Sequence, residues 1–290
     1  MLESSYSHYC WQERQQYVKK SNTSSPLSTS TPSVEMKMKV WQAFSQSIAR
    51  LHRANILRND IDNVNQAVYD AGNDAITFAQ NAAHETRLTQ RATADELALN
   101  LVPLMQFTLG NKHAADPGGV WAAFETVYLA AMDERGPQVI ARLREIRERL
   151  QEASALNMKA LGLGYIGKME ESQAVFDQVL VLRRENGDYE GYCGTLCNLA
   201  LLCAEAGDLD NAHVAVDQAI QIAREQGRRR AWSLALFQKG LLYKRQGNQG
   251  QARKYADLAL HTWQRTGQPL PEQFLAMSES LQGQDKAPGK

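Results

Sequence analysis

Glycines recur every 40 residues in the C-terminal half of the chain, and this period constrains the fold more than any other feature. A fixed interval of this size is typical of proteins that repeat one supersecondary unit along the chain. Glycine readily adopts the left-handed backbone that ends many helices, so two series predict two helix ends in each unit. The two series are Gly167, Gly207 and Gly247, and Gly187, Gly227 and Gly267.

Other positions follow the same interval and describe how the helices would pack. Small residues at two positions of each copy predict where the paired helices cross closely, and larger apolar residues would fill the space between neighbouring pairs. One helical hairpin cannot bury its own apolar face, so the copies are expected to stack into a solenoid. The small positions are Ala160, Ala200 and Gly240, and Ser172, Ala212 and Ala252; the larger ones include Leu156, Leu196 and Leu236.

The order of these residues resembles the tetratricopeptide repeat (TPR) family, in a variant with a 40-residue period, over residues about 150–267. The resemblance implies three antiparallel helical hairpins whose first helices line a concave groove. It rests on three copies of the pattern: Leu196, Ala200, Cys203, Gly207, Ala212, Val216 and Ala219; Leu236, Gly240, Tyr243, Gly247, Ala252, Ala256 and Ala259; and, more loosely, Leu156, Ala160, Leu163, Gly167, Ser172, Phe176 and Val179.

Composition and patterning divide the chain into four stretches. Residues 1–34 are polar and are predicted to be a disordered tail, because they cannot bury enough apolar area to offset the entropy of ordering. Residues 35–149 are predicted to be a helical N-terminal region, whose last part is open to interpretation as a degenerate repeat. Residues 150–282 are predicted to hold the hairpins and, over 271–281, a cap helix. Residues 283–290 are predicted to be a loose terminus.

Apolar residues of the N-terminal region recur at steps of three and four, as one face of a helix requires. One such stripe lies within residues 41–51, and a second within 61–82 predicts another helix. Thr93 and Glu96 have the spacing of a capping box and predict the start of a third. No stretch has the period-two alternation of strands. The predicted fold class is therefore all-α, with an N-terminal helical bundle followed by an α-solenoid of three hairpins.

Charge and cysteine content exclude several classes of function. Lys plus Arg and Asp plus Glu number 32 each, so the chain lacks the basic excess of proteins that bind nucleic acid or membrane surfaces. No stretch is apolar for long enough to span a bilayer. The four cysteines are too few for a disulfide framework, which favours reduced thiols in the cytoplasm. A metal site at Cys193 and Cys197 would need further ligands, so none is predicted.

No arrangement of residues in the sequence indicates catalysis. The six histidines form none of the motifs typical of metalloproteases, serine hydrolases or phosphate-binding loops. His52 and His213 are predicted to lie on solvent-facing helix surfaces. The chain is therefore interpreted as a protein other than an enzyme, with no cofactor.

The resemblance also implies which residues would contact a partner. Asn198 matches a groove asparagine that hydrogen-bonds the ligand backbone in many family members, whereas Met158 and Gln238 occupy the corresponding positions of the other copies. We call the full set the groove positions. They are Asn157, Leu161 and Tyr165 in the first copy, Cys197, Asn198, Leu201 and Glu205 in the second, and Phe237, Gln238, Leu241, Lys244 and Arg245 in the third.

The resulting hypothesis is a protein–protein interaction scaffold or assembly adaptor that holds a peptide or helix of a partner protein in the concave groove. The alternative is a bacterial peptide-sensing regulator, in which an N-terminal helical effector bundle precedes such repeats. The sequence leaves self-association and the identity of the partner open.

Overall fold

The chain divides into two compact units, Met1–Glu148 and Arg149–Lys290. The predicted tail and loose terminus lie outside the described residues, apart from Val34 and Gly283 at their borders, and Gly267 lies outside them as well. The computed structural model describes residues 34–58, 67–70, 75–78, 86–88, 91–109, 119–266 and 270–283.

Helices account for most of the described residues, and the fold class is all-α as predicted. One helix, α4 (Gly136–Tyr165), begins in the first unit and ends in the second, so the boundary between units falls inside a continuous helix. The other elements of the first unit are α1 (Val34–Arg53), β1 (Ile56–Arg58), β2 (Ala67–Asp70), β3 (Ala75–Phe78), β4 (Thr86–Leu88), α2 (Ala94–Leu109) and α3 (Val120–Ala131).

The helix predicted within residues 61–82 is wrong, because the described parts of this stretch are strands. β2 pairs antiparallel with β3, with Ala67 opposite Phe78, and β1 pairs antiparallel with β4. The strands carry β-branched and aromatic residues in Ala-Val-Tyr-Asp and Ala-Ile-Thr-Phe, and turn formers Gly72 and Asn73 separate them in sequence. The apolar spacing of this stretch also fits a helix, but its residue types favour short strands with turn formers between them in sequence.

The capping box predicted at the start of α2 is confirmed. The backbone N–H of Glu96 donates to Thr93 Oγ1 over 3.2 Å, and the backbone N–H of Thr93 donates to Glu96 Oε2 over 3.0 Å. The two side chains thus satisfy backbone donors that a helix leaves unpaired at its first turn.

A buried polar network joins α1, α2 and α3, and it corrects the prediction for His52, which is only 1% exposed. The Tyr128 hydroxyl donates to His52 Nδ1 over 2.7 Å, and His52 Nε2 lies 3.1 Å from Asn100 Oδ1. Asn100 Nδ2 donates to the carbonyl of Arg58, so its Oδ1 is the atom that accepts from His52. Burial lowers the pKa of His52 to about 4, so the imidazole is neutral at neutral pH and carries its proton on Nε2.

Arg135 connects the segments that surround this network. Its guanidinium donates to Asn55 Oδ1 over 2.7 Å, to the Ala92 carbonyl over 3.0 Å and to the His52 carbonyl over 3.2 Å. It also pairs with Asp133 at 2.6 Å, which holds the pKa of that carboxyl below its usual range. One cation thus satisfies backbone and side-chain acceptors from three stretches of the first unit.

The second unit consists of paired helices that follow the predicted period. The C-terminal part of α4 with α5, α6 with α7, and α8 with α9 form the three hairpins, and α10 follows. Five glycines of the two series end helices with φ between 67° and 85° (Gly167, Gly187, Gly207, Gly227 and Gly247). The helices are α5 (Met169–Glu185), α6 (Tyr189–Glu205), α7 (Leu209–Glu225), α8 (Arg229–Arg245), α9 (Gln249–Gln264) and α10 (Glu272–Gly283).

The small residues lie where the paired helices cross. Ala160, Ala200 and Ala212 are fully buried. Ser172 is buried too, and its hydroxyl donates to the Ala160 carbonyl over 2.7 Å. The predicted cap helix corresponds to α10, whose Phe274 packs against the last hairpin in a cluster with Ala252, Ala259 and Trp263.

Replacing Ala212 with leucine is expected to lower the free energy of unfolding by about 1–3 kcal/mol, because a larger side chain at a closed helix crossing forces the backbones apart. Urea titration monitored by circular dichroism measures the change. Val214 to leucine is the matched control, since Val214 lies exposed on the same helix and should tolerate the extra volume. An Ala212→Leu variant as stable as the parent would show that the crossing is not close at this position.

Candidate interaction surfaces of the helical repeat

The groove positions of the first two hairpins meet through a pair of asparagines. Asn198 Nδ2 of α6 donates to Asn157 Oδ1 of α4 over 3.4 Å, and both residues are half-buried. The two amides retain further donors and acceptors beyond this bond, since each has two N–H groups and a carbonyl. The structure therefore brings Asn157 and Asn198 together at a place where an amide can pair with a peptide backbone.

Large apolar side chains are exposed beside this pair. Met158 is 59% and Tyr165 62% exposed, and they lie seven residues apart on the same face of α4. Ile166, which directly follows the helix, is also exposed. Several large apolar side chains exposed near one end of a helix indicate a candidate contact site.

The remaining groove positions of α6 differ in accessibility. Leu201 is half-buried and Glu205 is exposed. Cys197 is half-buried, and burial raises the pKa of its thiol to about 12, so the thiol is neutral at neutral pH. In a neutral thiol the sulfur is a weak hydrogen-bonding group and a poor nucleophile, so Cys197 offers packing area rather than reactivity.

The structure corrects the interpretation of Phe237, which is only 8% exposed. Its ring lies 4.5 Å from the ring of Phe274, centroid to centroid, so α10 covers it. Phe237 is a packing residue of the last hairpin and would not be accessible to a partner. Of the other α8 groove positions, Gln238, Leu241 and Lys244 are half-buried, and Arg245 is exposed.

A cation–aromatic cluster lies between the second and third hairpins, and sequence reasoning missed it. Lys239 Nζ lies 5.3 Å from the centre of the Tyr255 ring and 6.0 Å from that of Tyr243, and the two rings stack at 5.5 Å. Lys239 also forms an ion pair with Asp217 of α7. His213 is half-buried, with its ring centroid 4.8 Å from that of Tyr243, so it faces solvent only in part. Aligning the copies at 40 residues would have exposed this cluster as a departure from the repeat.

Metal binding and thiol reactivity depend on the His, Cys, Asp and Glu side chains of the described residues. Within those ranges, no three His, Cys, Asp or Glu side chains are grouped closely enough to hold a metal ion. Cys193 is buried, and its burial raises the thiol pKa to about 12. That the chain is not an enzyme stays a prediction.

The fold defines a helical-repeat protein, in which stacked hairpins present side chains on two long faces. Residues 15–100 and 162–246, together more than half of the chain, match the family model described as anaphase-promoting complex subunit 5. The chain belongs to this family. The second matched segment begins near the end of α4 and runs to the end of α8, so it covers the second helix of the first hairpin, the whole second hairpin and the first helix of the third.

No curated protein and no solved structure matches the chain. Among the helices that the structure describes, none combines the length and apolar character needed to cross a bilayer.

Proposed function

We propose that the second unit is a TPR-type protein-interaction scaffold that holds a peptide or helix of a partner protein in the groove lined by α4, α6 and α8. The observation that carries the proposal is the exposure of Met158 and Tyr165 on the helix that also holds Asn157 of the Asn157–Asn198 pair. Apolar anchors next to groups that pair with a peptide backbone are the usual composition of an interface centre.

The family match supports a role as subunit or assembly adaptor of a multi-protein complex, because the family is named for a subunit of such a complex. It favours this role over the peptide-sensing regulator. The proposed location is the cytoplasm, and whether the chain self-associates stays open. The partner would bind without a cofactor or metal.

A serine double variant of Met158 and Tyr165 tests the groove. We expect it to lose most of its partner binding, because each buried apolar anchor contributes about 1–2 kcal/mol or more to an interface. Both side chains are more than half exposed, so the fold should be unaffected. Affinity capture with the full chain, followed by mass spectrometry and a Kd for the partner identified, measures the effect.

The matched control is Leu258 to serine, which removes an exposed apolar side chain from α9, a second helix of a hairpin. It should retain the partner and its Kd. If the double variant binds the same partner with the parent's Kd, the groove is not the contact surface.

A further inference from the structure

A cleft of about 650 Å³ opens between α5 and α7, with α6 as its floor, and we call it the outer cleft. Its size is that of a binding site for a small molecule or a few side chains. None of the groove positions lines it, so it is separate from the proposed peptide groove. Val181 on α5 and Val214 on α7 are exposed apolar side chains among those that line it.

The next copy of the repeat shows which residues occupy the position equivalent to the outer cleft. Three residues that line the outer cleft are Leu199 and Cys203 of α6 and Ala215 of α7. Forty residues further along the chain, these positions hold Lys239, Tyr243 and Tyr255.

These three residues place two aromatic rings and a cation in the space between α7 and α9. The two tyrosine rings stack, and the buried Lys239 ammonium lies over them. The outer cleft is open because a leucine, a cysteine and an alanine leave that volume unfilled.

The 40-residue interval also relates an acidic residue of the outer cleft to one beside Lys239. Asp217, which pairs with Lys239, has Asp177 of α5 as its counterpart, and Asp177 lines the outer cleft. Among the described residues, no cation lies within ion-pair distance of Asp177, and its carboxylate is exposed. Arg184 also lines the cleft, seven residues along α5, or about 10 Å at the helical rise. A cation supplied from outside therefore fits the Asp177 end.

We propose that the outer cleft is a second docking surface, which binds a segment of a partner protein carrying a lysine or arginine flanked by tyrosine side chains. The rings would fill the volume above Leu199, Cys203 and Ala215, and the cation would pair with Asp177. The partner segment would thus provide a cation and tyrosine rings like those that Lys239, Tyr243 and Tyr255 provide in the third hairpin.

The probe is a blocked, alanine-rich helical peptide with a lysine and a tyrosine one turn away on either side. Cys203 is a reporter within the cleft, because it is half-buried there and can be alkylated only while the cleft is empty. We expect saturating peptide to slow alkylation of Cys203, followed residue by residue by mass spectrometry on the full chain. We also expect it to shift the methyl resonances of Leu199 and Ala215.

Asp177→Lys is expected to weaken peptide binding about tenfold, the order expected for loss of one charge-assisted hydrogen bond. Asp257→Lys is the matched control, since Asp257 is exposed at the same repeat position of α9 and should leave the affinity unchanged. Ala215→Tyr should block binding by filling the cleft. A peptide with glutamate in place of lysine should bind more weakly than the lysine peptide.

Three results would overturn the proposal. One is that Cys203 is alkylated at the same rate with and without millimolar peptide. Another is that the parent protein binds the lysine and glutamate peptides with equal affinity, or that the parent and the Asp177→Lys variant bind the lysine peptide with equal affinity. The third is protection of Cys203 that grows with the protein's own concentration in the absence of peptide, which would assign the cleft to a second copy of this chain. The groove variant of Met158 and Tyr165 should bind the peptide as the parent does.

Discussion

Replacing Asp188 with alanine is expected to lower the free energy of unfolding of the second unit by about 3 kcal/mol, because it leaves the Arg183 guanidinium, whose side chain is only 13% exposed, without its partner. Asp188 is only 2% exposed, and its Oδ2 lies 3.0 Å from Arg183 Nη1. Its Oδ1 accepts from the backbone N–H of Gly191 over 2.6 Å and so caps α6. One carboxylate thus joins the end of the first hairpin to the start of the second. Urea unfolding monitored by circular dichroism measures the loss.

The control separates the ion pair from the cap. Asn248 caps α9 in the same way, with its Oδ1 accepting from the Gln251 N–H over 3.1 Å, but it is exposed and holds no buried cation. Asn248→Ala should therefore cost only about 1 kcal/mol, the usual value of an N-cap. Equal losses in the two alanine variants would mean that Arg183 contributes nothing beyond the cap.

Substitutions at two glycines of α6 test how closely the Arg183–Asp188 ion pair packs against this helix. A Cβ at Gly191 would collide with the Arg183 guanidinium and the Asp188 carboxylate, whereas a Cβ at Gly194 would meet nothing within 4 Å. Gly191→Ala should destabilise the unit. Gly194→Ala should stabilise it by about 0.5–1 kcal/mol, because alanine loses less backbone entropy in a helix.

The stability of the first unit is expected to fall by about 3 kcal/mol as the pH falls from 6.5 to 4, since each unit of pKa shift corresponds to about 1.4 kcal/mol. Burial lowers the pKa of His52 from 6.5 to about 4, against the opposing effect of its hydrogen bond to Asn100. Between these two values the unfolded chain binds a proton that the folded protein does not. Stability is therefore full above pH 6.5, declines through the window and levels off below pH 4.

Protonation would also disturb the local hydrogen bonds. A proton on His52 Nδ1 would face the hydroxyl hydrogen that Tyr128 now donates, so the hydroxyl would have to turn away. Arg135 adds an unfavourable positive charge nearby, which lowers the His52 pKa further. Asp133, whose pKa is lowered mainly by its hydrogen bond to Arg135, loses its contribution only at pH values below the His52 window.

Urea unfolding at a series of pH values, at constant ionic strength, measures this dependence. A His52→Gln variant should be less stable than the parent at high pH, and the difference between the two proteins should shrink as the pH falls from 6.5 to 4. The imidazole resonances of His52 give a direct reading, because they should not titrate above about pH 4. Titration of His52 near pH 6.5 would contradict the buried, neutral assignment.

Local interactions were the part of the fold that sequence reasoning found reliably. The glycine series, the capping box at Thr93 and the cap helix each depend on residues only a few positions apart, and the structure has all three within its described ranges. The prediction for the stretch within 61–82 failed because an apolar spacing of three and four fits a helix, while the strands depend on pairing between two separate segments.

For the candidate surfaces too, the sequence predicted some residues correctly and missed those whose environment depends on packing. The 40-residue period and the resemblance selected the groove positions, and two of them, Asn157 and Asn198, lie in contact. The cover over Phe237 was not predicted, because it depends on where α10 packs. The outer cleft was missed because each copy was compared with a family pattern, and its residues were not compared with the neighbouring copy.

The sequence by itself determined that this chain repeats a helical hairpin at a period of 40 residues and where most of those helices end, because backbone preferences and side-chain size act over one or two turns. Only the tertiary structure decided which of those side chains face solvent. His52 is buried by partners 48 and 76 positions away, and the space above Ala215 is open because Leu199 and Cys203 of α6 leave that volume unfilled. Burial depends on contacts between segments distant in the chain, which no local pattern encodes.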